Sequence, residues 1–150
     1  MPKSEKGFTL IELLVVVLIV STLFGLSIPG YRQYVLRSGR ADAVNALLRV
    51  AAAQERFYLQ NGIYATNAQM QAVPPAGLGF TTAASERGYY DLAITPDAAG
   101  LTIGYMVTAS VDASDKQKDD TACVSMSVDQ NGRRGVNGGY VPADVEKCWR

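Results

Sequence analysis

The chain has 150 residues, 14 basic against 14 acidic, and no histidine. That length fits one domain of ordinary size. The balanced charge gives no overall bias toward nucleic acid or acidic surfaces, and the missing histidine removes the commonest general base and metal ligand. No nucleophile–base pair and no glycine-rich phosphate loop can be picked out, so no catalytic residue, cofactor or metal is expected and an enzyme is not the reading.

The N-terminal end carries the strongest signal. A polar leader, MPKSEKG, holds Lys3 and Lys6, and from Phe8 to Ile28 run 21 residues of which Glu12 is the only charged one. As a helix this segment spans about 31 Å, the thickness of a bilayer's hydrocarbon core. A secretory signal has a shorter apolar core with a small-residue cleavage site after it. Here no such site follows, and the small residue Gly7 precedes the apolar run. A cut there removes only residues 1–7 and leaves the hydrophobic helix on the mature chain. Glu12 is then conspicuous, because a charge inside a membrane span costs about 2.5–3.5 kcal/mol on insertion scales.

Gly7-Phe8-Thr9-Leu10-Ile11-Glu12, followed at once by the apolar run, resembles the processing site of type IV pilins and the related pseudopilins. The resemblance implies that a prepilin peptidase cuts after Gly7, that the new amino terminus on Phe8 is methylated, and that the mature helices bundle in a filament core. Glu12 then gains a role. The Phe8 amine of the same chain or of a neighbour attracts it strongly in a low-dielectric bundle. An arriving subunit would settle where its Glu12 meets that amine, so the charge sets register during assembly rather than adding stability. The plainer alternative is a tolerated glutamate near the membrane face, reaching toward the headgroups.

Gly25 and Pro29 lie four apart. Proline lacks the N–H that would bond the Gly25 carbonyl, and its ring crowds that carbonyl, so the 25–30 segment is a candidate kink. Two readings stand side by side: the end of the membrane span, or a helix that extends during filament packing, as the resemblance implies.

From Tyr31 to Gln60 the spacing predicts an amphipathic helix. Tyr34, Ala41, Val44, Leu47, Leu48, Ala51, Ala52 and Tyr58 form its apolar face, with Arg40, Asp42, Asn45, Arg49 and Gln54 between them. Asn61-Gly62 supplies the stop. Residues 8–60 thus read as one helix of roughly 80 Å, and QERFYLQNGIYATN resembles the helix end of minor pilins of the PilE type. Residues 62–88, with Pro74-Pro75 and several glycines, read as an irregular connection. Strands are expected over 88–95, 101–111 and 122–128, with a turn at Pro96–Gly100 and a hairpin signal at Asp129-Gln130-Asn131-Gly132. The expected fold class is α+β, a long N-terminal helix on a small antiparallel sheet of three or four strands, and the resemblance implies the pilin fold with a disulfide-closed C-terminal loop.

Cys123 and Cys148 are the only cysteines. A head held outside the cytoplasmic membrane, as in pilins, meets an oxidising environment, and a bridge closing this C-terminal loop contributes about 3.5 kcal/mol on the chain-entropy estimate. Two buried free thiols are the alternative. The Asp115–Asp120 run and the Asp129/Asn131 turn lack the ligand spacing of a calcium loop and read as solvated turns. Arg133 and Arg134, near Lys147 and Arg150, form a possible anion-binding patch or an ordinary surface.

The expected domains are a removed leader (1–7), a transmembrane and filament-core half-helix (8–30) and a globular head (31–150). The expected protein is a structural subunit of a type IV pilus, a minor pilin serving motility, adhesion or DNA uptake. A pseudopilin of a type II secretion system and a DNA-binding competence pilin are the alternatives. Expected partners are other pilin subunits, the prepilin peptidase, the inner-membrane pilus assembly machinery, membrane lipid before assembly and, less favoured, nucleic acid. The expected location is the bacterial inner membrane, single-pass with a periplasmic head, then the extracellular pilus.

Overall fold

The long helix α1 runs from Leu10 to Asn61, 52 residues, and is helical without a break through Gly25–Pro29. Local chemistry marks both ends. Thr9 Oγ1 accepts the Glu12 N–H at 3.3 Å and the Thr9 carbonyl accepts the Leu13 N–H, which is N-cap geometry. At the far end Gly62 adopts φ 69° and donates to the Tyr58 carbonyl at 2.8 Å, the left-handed stop anticipated from Asn61-Gly62.

The computed structural model describes residues 7–112 and 116–150, with the backbone alone at 26–29 and 116. The chain divides between Val35 and Leu36. The second unit holds β1 (Tyr90–Pro96), β2 (Tyr105–Val111), β3 (Ser125–Asp129), β4 (Arg134–Val136) and the short helix α2 (Pro142–Cys148), with single 3-10 turns at Asn67–Gln69 and Lys116–Asp119. The strands form one antiparallel sheet in the order β1-β2-β3-β4. Register lines up Leu92, Ala109, Met126 and Val136 in one cross-strand row and Ile94, Val107 and Val128 in the next. These side chains are buried and share one core with Leu47, Val50 and Phe57 of α1. Period-two alternation thus places one sheet face on the helix, as expected for an α+β head.

Several expectations need correction. The buried stripe of α1 includes Ala43, Ala46, Leu47, Val50, Ala53, Gln54 and Phe57; of the set read from the sequence, Leu47 lies in it and Val44, Ala51 and Tyr58 pack against it, while the other four do not. Tyr34 is 71% exposed, Leu48, Ala41 and Ala52 are exposed, and Arg40, Asp42 and Gln54 are buried. Polar residues enter the core because each has a partner. Gln54 accepts the Ala65 N–H at 2.8 Å and donates to the Ala65 carbonyl at 2.9 Å. Asp42 accepts the Arg87 N–H. Arg40 grips Asp120 with two hydrogen bonds, of 2.6 and 2.8 Å. The 116–120 stretch is therefore no solvated turn, since Gln117 and Asp120 are buried. Asp115 lies outside the described residues. The strands also start later than expected: the turn after β1 extends from Asp97 to Gly104, and β3 begins at Ser125. Finally, α2 was not anticipated, although proline at its first position, Asp144 in its first turn and Lys147 in its last mark a helix in the sequence.

Candidate functional site

Every large apolar residue from Phe8 to Phe24 is at least 44% exposed, on all sides of the helix. A helix apolar all round has to be covered by lipid or by other helices, and this one is long and apolar enough to cross a membrane. Its few polar groups are dealt with locally. Ser21 Oγ donates to the Val17 carbonyl at 2.7 Å and Thr22 Oγ1 to the Ile19 carbonyl at 2.8 Å, which satisfies both hydroxyls without water.

Glu12 occupies the third position after the Thr9 cap, where a carboxylate complements the positive end of the helix dipole. Thr9-x-x-Glu12 ahead of an apolar run is the sequence signature of a capping box. It was available in the sequence and gives Glu12 a second reason to be where it is. Gly7 and Phe8 precede the helix. Phe8 is 86% exposed and no atom lies within 4 Å of where a Gly7 Cβ would stand.

In the head, Cys123 and Cys148 form a disulfide. It closes the C-terminal segment over β4, where Trp149 is buried and donates its indole N–H to the Gly135 carbonyl at 3.2 Å. The hairpin between β3 and β4 is fixed by Asp129, whose Oδ1 accepts the N–H groups of Asn131 and Arg133, each at 2.9 Å, with Gly132 at φ 74°. This turn holds out the two adjacent arginines. The Arg133 guanidinium lies 3.6 Å from the centre of the Tyr140 ring and that of Arg134 5.0 Å from the Trp149 ring. Both arginines are exposed, so each presents a planar cation backed by an aromatic face. Neither ring was paired with them from sequence. Arg150 is held by Glu146.

A concavity of about 680 Å³ lies between α1 and the 78–86 loop, with Ala46, Ala53 and Leu92 in its wall and Arg49 and Arg56 on it. Arg49 is engaged there by exposed Glu86 at 3.7 Å and lies over Phe80. From Leu36 onward the chain carries 11 basic and 12 acidic residues, because Lys3, Lys6, Arg32, Glu5 and Glu12 all come earlier. The head as a whole is thus not electropositive, and any contact with an anionic polymer must be local. Among the described residues no group of three or more acidic or cysteine side chains is placed to hold a metal ion. The Asp129 carboxylate is occupied by the backbone of its own turn.

Comparison with known proteins agrees with these features. Residues 2–28 match the model of the prokaryotic N-terminal methylation motif. Residues 29–127 match the family described as type IV minor pilin ComP, DNA uptake sequence receptor. The type IV major pilin protein PilE1 of Neisseria gonorrhoeae is 32% identical over 114 residues, covering 76% of this chain and 50% of that protein. Fimbrial protein EcpC of Eikenella corrodens is 35% identical over 97 residues, covering 64% and 57%. A solved type IV pilin from Shewanella oneidensis is 27% identical, covers 71% of this chain and 97% of that one, and superposes with a TM-score of 0.44. The chain spans about half the length of the curated relatives it matches. A methylation motif joined directly to a match over residues 29–127 leaves one assignment: this chain is a type IV pilin and belongs to the ComP minor-pilin family.

Proposed function

We propose that this protein is a minor structural subunit of a type IV pilus. The observation that carries the proposal is the all-round exposure of apolar side chains from Phe8 to Phe24, which only a bilayer or a bundle of like helices can cover. In this reading residues 1–7 are the leader, removed by a prepilin peptidase after Gly7, and Phe8 receives the methyl group. Residues 8–30 span the bacterial inner membrane once, with the head on the periplasmic side. The inner-membrane assembly machinery then moves the subunit into the extracellular filament, where Glu12 pairs with a Phe8 amine. Gly25 and Pro29 are the place where the helix bends or extends as it repacks.

Mass spectrometry of sheared filaments tests this. Peptides of this subunit should begin at N-methylated Phe8 and be few beside those of the major pilin. Filament-borne protein that still begins at Met1 or Pro2 would overturn it.

A second reading is favoured by the family's description as a DNA uptake sequence receptor: the head captures DNA. Arg133 and Arg134 are the candidate contacts, each with an aromatic ring beneath it, so that phosphate pairing and base stacking would be offered together. Full-length protein in detergent micelles should retard duplex DNA in a salt-sensitive gel shift, and Arg133→Ala/Arg134→Ala should abolish it. A shift untouched by the double substitution would place DNA contact elsewhere. The disulfide-closed segment favours a pilin over a type II secretion pseudopilin.

A further inference from the structure

We propose that Arg40 is a positioning residue that holds the two cysteine-bearing segments together, so that Cys123 and Cys148 meet for oxidation. One guanidinium touches both sides of the future bridge. Its Nε and Nη2 donate to the two oxygens of Asp120 at 2.6 and 2.8 Å. Its Nη1 donates to the Lys147 carbonyl at 3.3 Å. Asp120 stands three residues before Cys123, and the Cys123 N–H donates to the Asp120 carbonyl at 3.2 Å. Lys147 is the residue immediately before Cys148. A planar fork with five donors thus anchors one segment by a charge-assisted pair and the other by a backbone carbonyl.

The surroundings are built to keep the Asp120 half in place. Arg40 is 9% exposed and Asp120 2%, so the pair sits where water does not compete. Gln117 Nε2 lies 3.1 Å from Asp120 Oδ2, 3.1 Å from the Leu36 carbonyl and 3.2 Å from the Tyr90 hydroxyl, and the Tyr90 hydroxyl lies 3.4 Å from the Cys123 carbonyl. Gly39 makes room for this amide: a Cβ there would fall 2.1 Å from Gln117 Oε1. The segment before Cys123 is therefore docked on α1 by its own contacts. The segment carrying Cys148 is held on β4 by the Trp149 indole and packs its apolar side chains into the core, and Arg40 adds a polar tether from α1 to the Lys147 carbonyl. With the bridge open, Arg40 still carries the geometry that brings the second thiol to the first.

The chemistry that benefits is the intramolecular step. One thiolate attacks a small-molecule disulfide such as oxidised glutathione, giving a mixed disulfide and one glutathione thiol. The second cysteine thiolate then displaces the other glutathione, so that two protons and two electrons leave the protein and two glutathione thiols form. Only the second displacement depends on how closely the two cysteines are held.

The test uses the full chain in detergent micelles, equilibrated in glutathione redox mixtures. The bridged fraction is read by thiol alkylation and mass spectrometry, and folding by Trp149 fluorescence. Arg40→Lys keeps a charge for Asp120 but gives up the fork and the Lys147 carbonyl. It is expected to lower the effective concentration of the two thiols about tenfold, equivalent to ~1.4 kcal/mol. Arg40→Met/Asp120→Leu, which replaces a buried pair with apolar groups rather than stranding one charge, should show the same fall. Phe57→Leu, in the core well away from the pair, should leave the effective concentration unchanged although it weakens the head. The proposal is overturned by an unchanged value in Arg40→Lys, or by an equal fall in Phe57→Leu. Should the double substitution not fold, Arg40→Lys decides the matter.

Discussion

Replacing Gln54 gives the sharpest test of how the head is held together, because this residue is fully buried and read from sequence as part of the outer face. Its amide makes a two-way pairing with one peptide unit, the N–H and the C=O of Ala65, at 2.8 and 2.9 Å. Ala65 is itself fully buried, so water does not replace the lost partner. Gln54→Ala orphans one backbone donor and one acceptor, each costing about 1–3 kcal/mol. A loss of about 2–5 kcal/mol is expected, a large share of a small domain's stability. The decisive companion is Gln54→Leu. It restores nearly the same volume and adds apolar surface, yet it still strands both Ala65 groups, so it should be about as damaging as alanine. Urea unfolding of the full chain in micelles, followed by the fluorescence of buried Trp149, gives both values with the slope unchanged. Leucine as stable as the wild type would show that Gln54 merely fills space, and would refute the pairing argument.

Other outcomes follow from the same structure. Burial pushes the Tyr90 phenol up to about 12, and Tyr105 is raised by the same cause. The folded state therefore prefers both phenols neutral, so their contribution is complete below pH ~10; that of Tyr90 is lost as pH rises through about 12 and that of Tyr105 higher still, and the urea midpoint should fall as pH rises above ~10. Cys123→Ser should open the C-terminal segment to protease at Arg133, Arg134 and Lys147 while α1 stays helical by circular dichroism, and identical digests with and without reductant would argue against a structural role for the bridge. Glu12→Ala should leave membrane insertion intact but reduce the subunit's share of sheared filaments. Gly7→Val should leave the leader uncut, because the peptidase must bring the scissile carbonyl close where a side chain would collide, and a mature band of wild-type size on a gel would contradict this.

What could be read in the sequence divides by the range of the interactions that decide it. The end of α1 at Gly62, the Asp129–Gly132 hairpin and the apolar run from Phe8 are local, and their signals lie within a few residues. The buried face of α1 is different. Arg40, Asp42 and Gln54 look like solvent residues until their partners arrive from 80, 45 and 11 positions along the chain. Tyr34 and Leu48 look like core residues, but the unit containing the sheet starts only at Leu36, and Leu48 points away from it. Helical periodicity alone therefore found part of the stripe, Val44, Leu47, Ala51 and Tyr58, and misassigned the rest. The helix α2 was hidden for another reason: seven residues after a glycine-rich stretch hold too few apolar side chains to show a period, although Pro142 and Asp144 marked its start. The arginine–aromatic pairs Arg133–Tyr140 and Arg134–Trp149 depend on how β4 and α2 return over each other, which no spacing along the chain specifies.

Arg40 and Glu12 are two charges of α1 set in contrasting surroundings. Arg40 is buried in the head, and its counter-charge is supplied within the chain by Asp120, so folding alone completes the pair. Glu12 lies in the apolar half, and among the described residues no cation forms an ion pair with it; the Thr9 cap takes its backbone N–H and leaves the carboxylate open. The nearest positive group that chemistry can create is the amine on Phe8, which does not exist while the Gly7–Phe8 peptide bond is intact. In the proposed processing, cutting that bond would remove Lys3 and Lys6 and generate the partner in one step. In that reading a subunit that has not been cut would bring no amine of its own into the low-dielectric bundle, where an unpaired charge is far more costly than a paired one. If Glu12 pairs with a Phe8 amine as proposed, the cut would also act as a control on assembly: an uncut chain would bring a carboxylate and no amine to the bundle, whereas a cut chain would bring both halves of the pair.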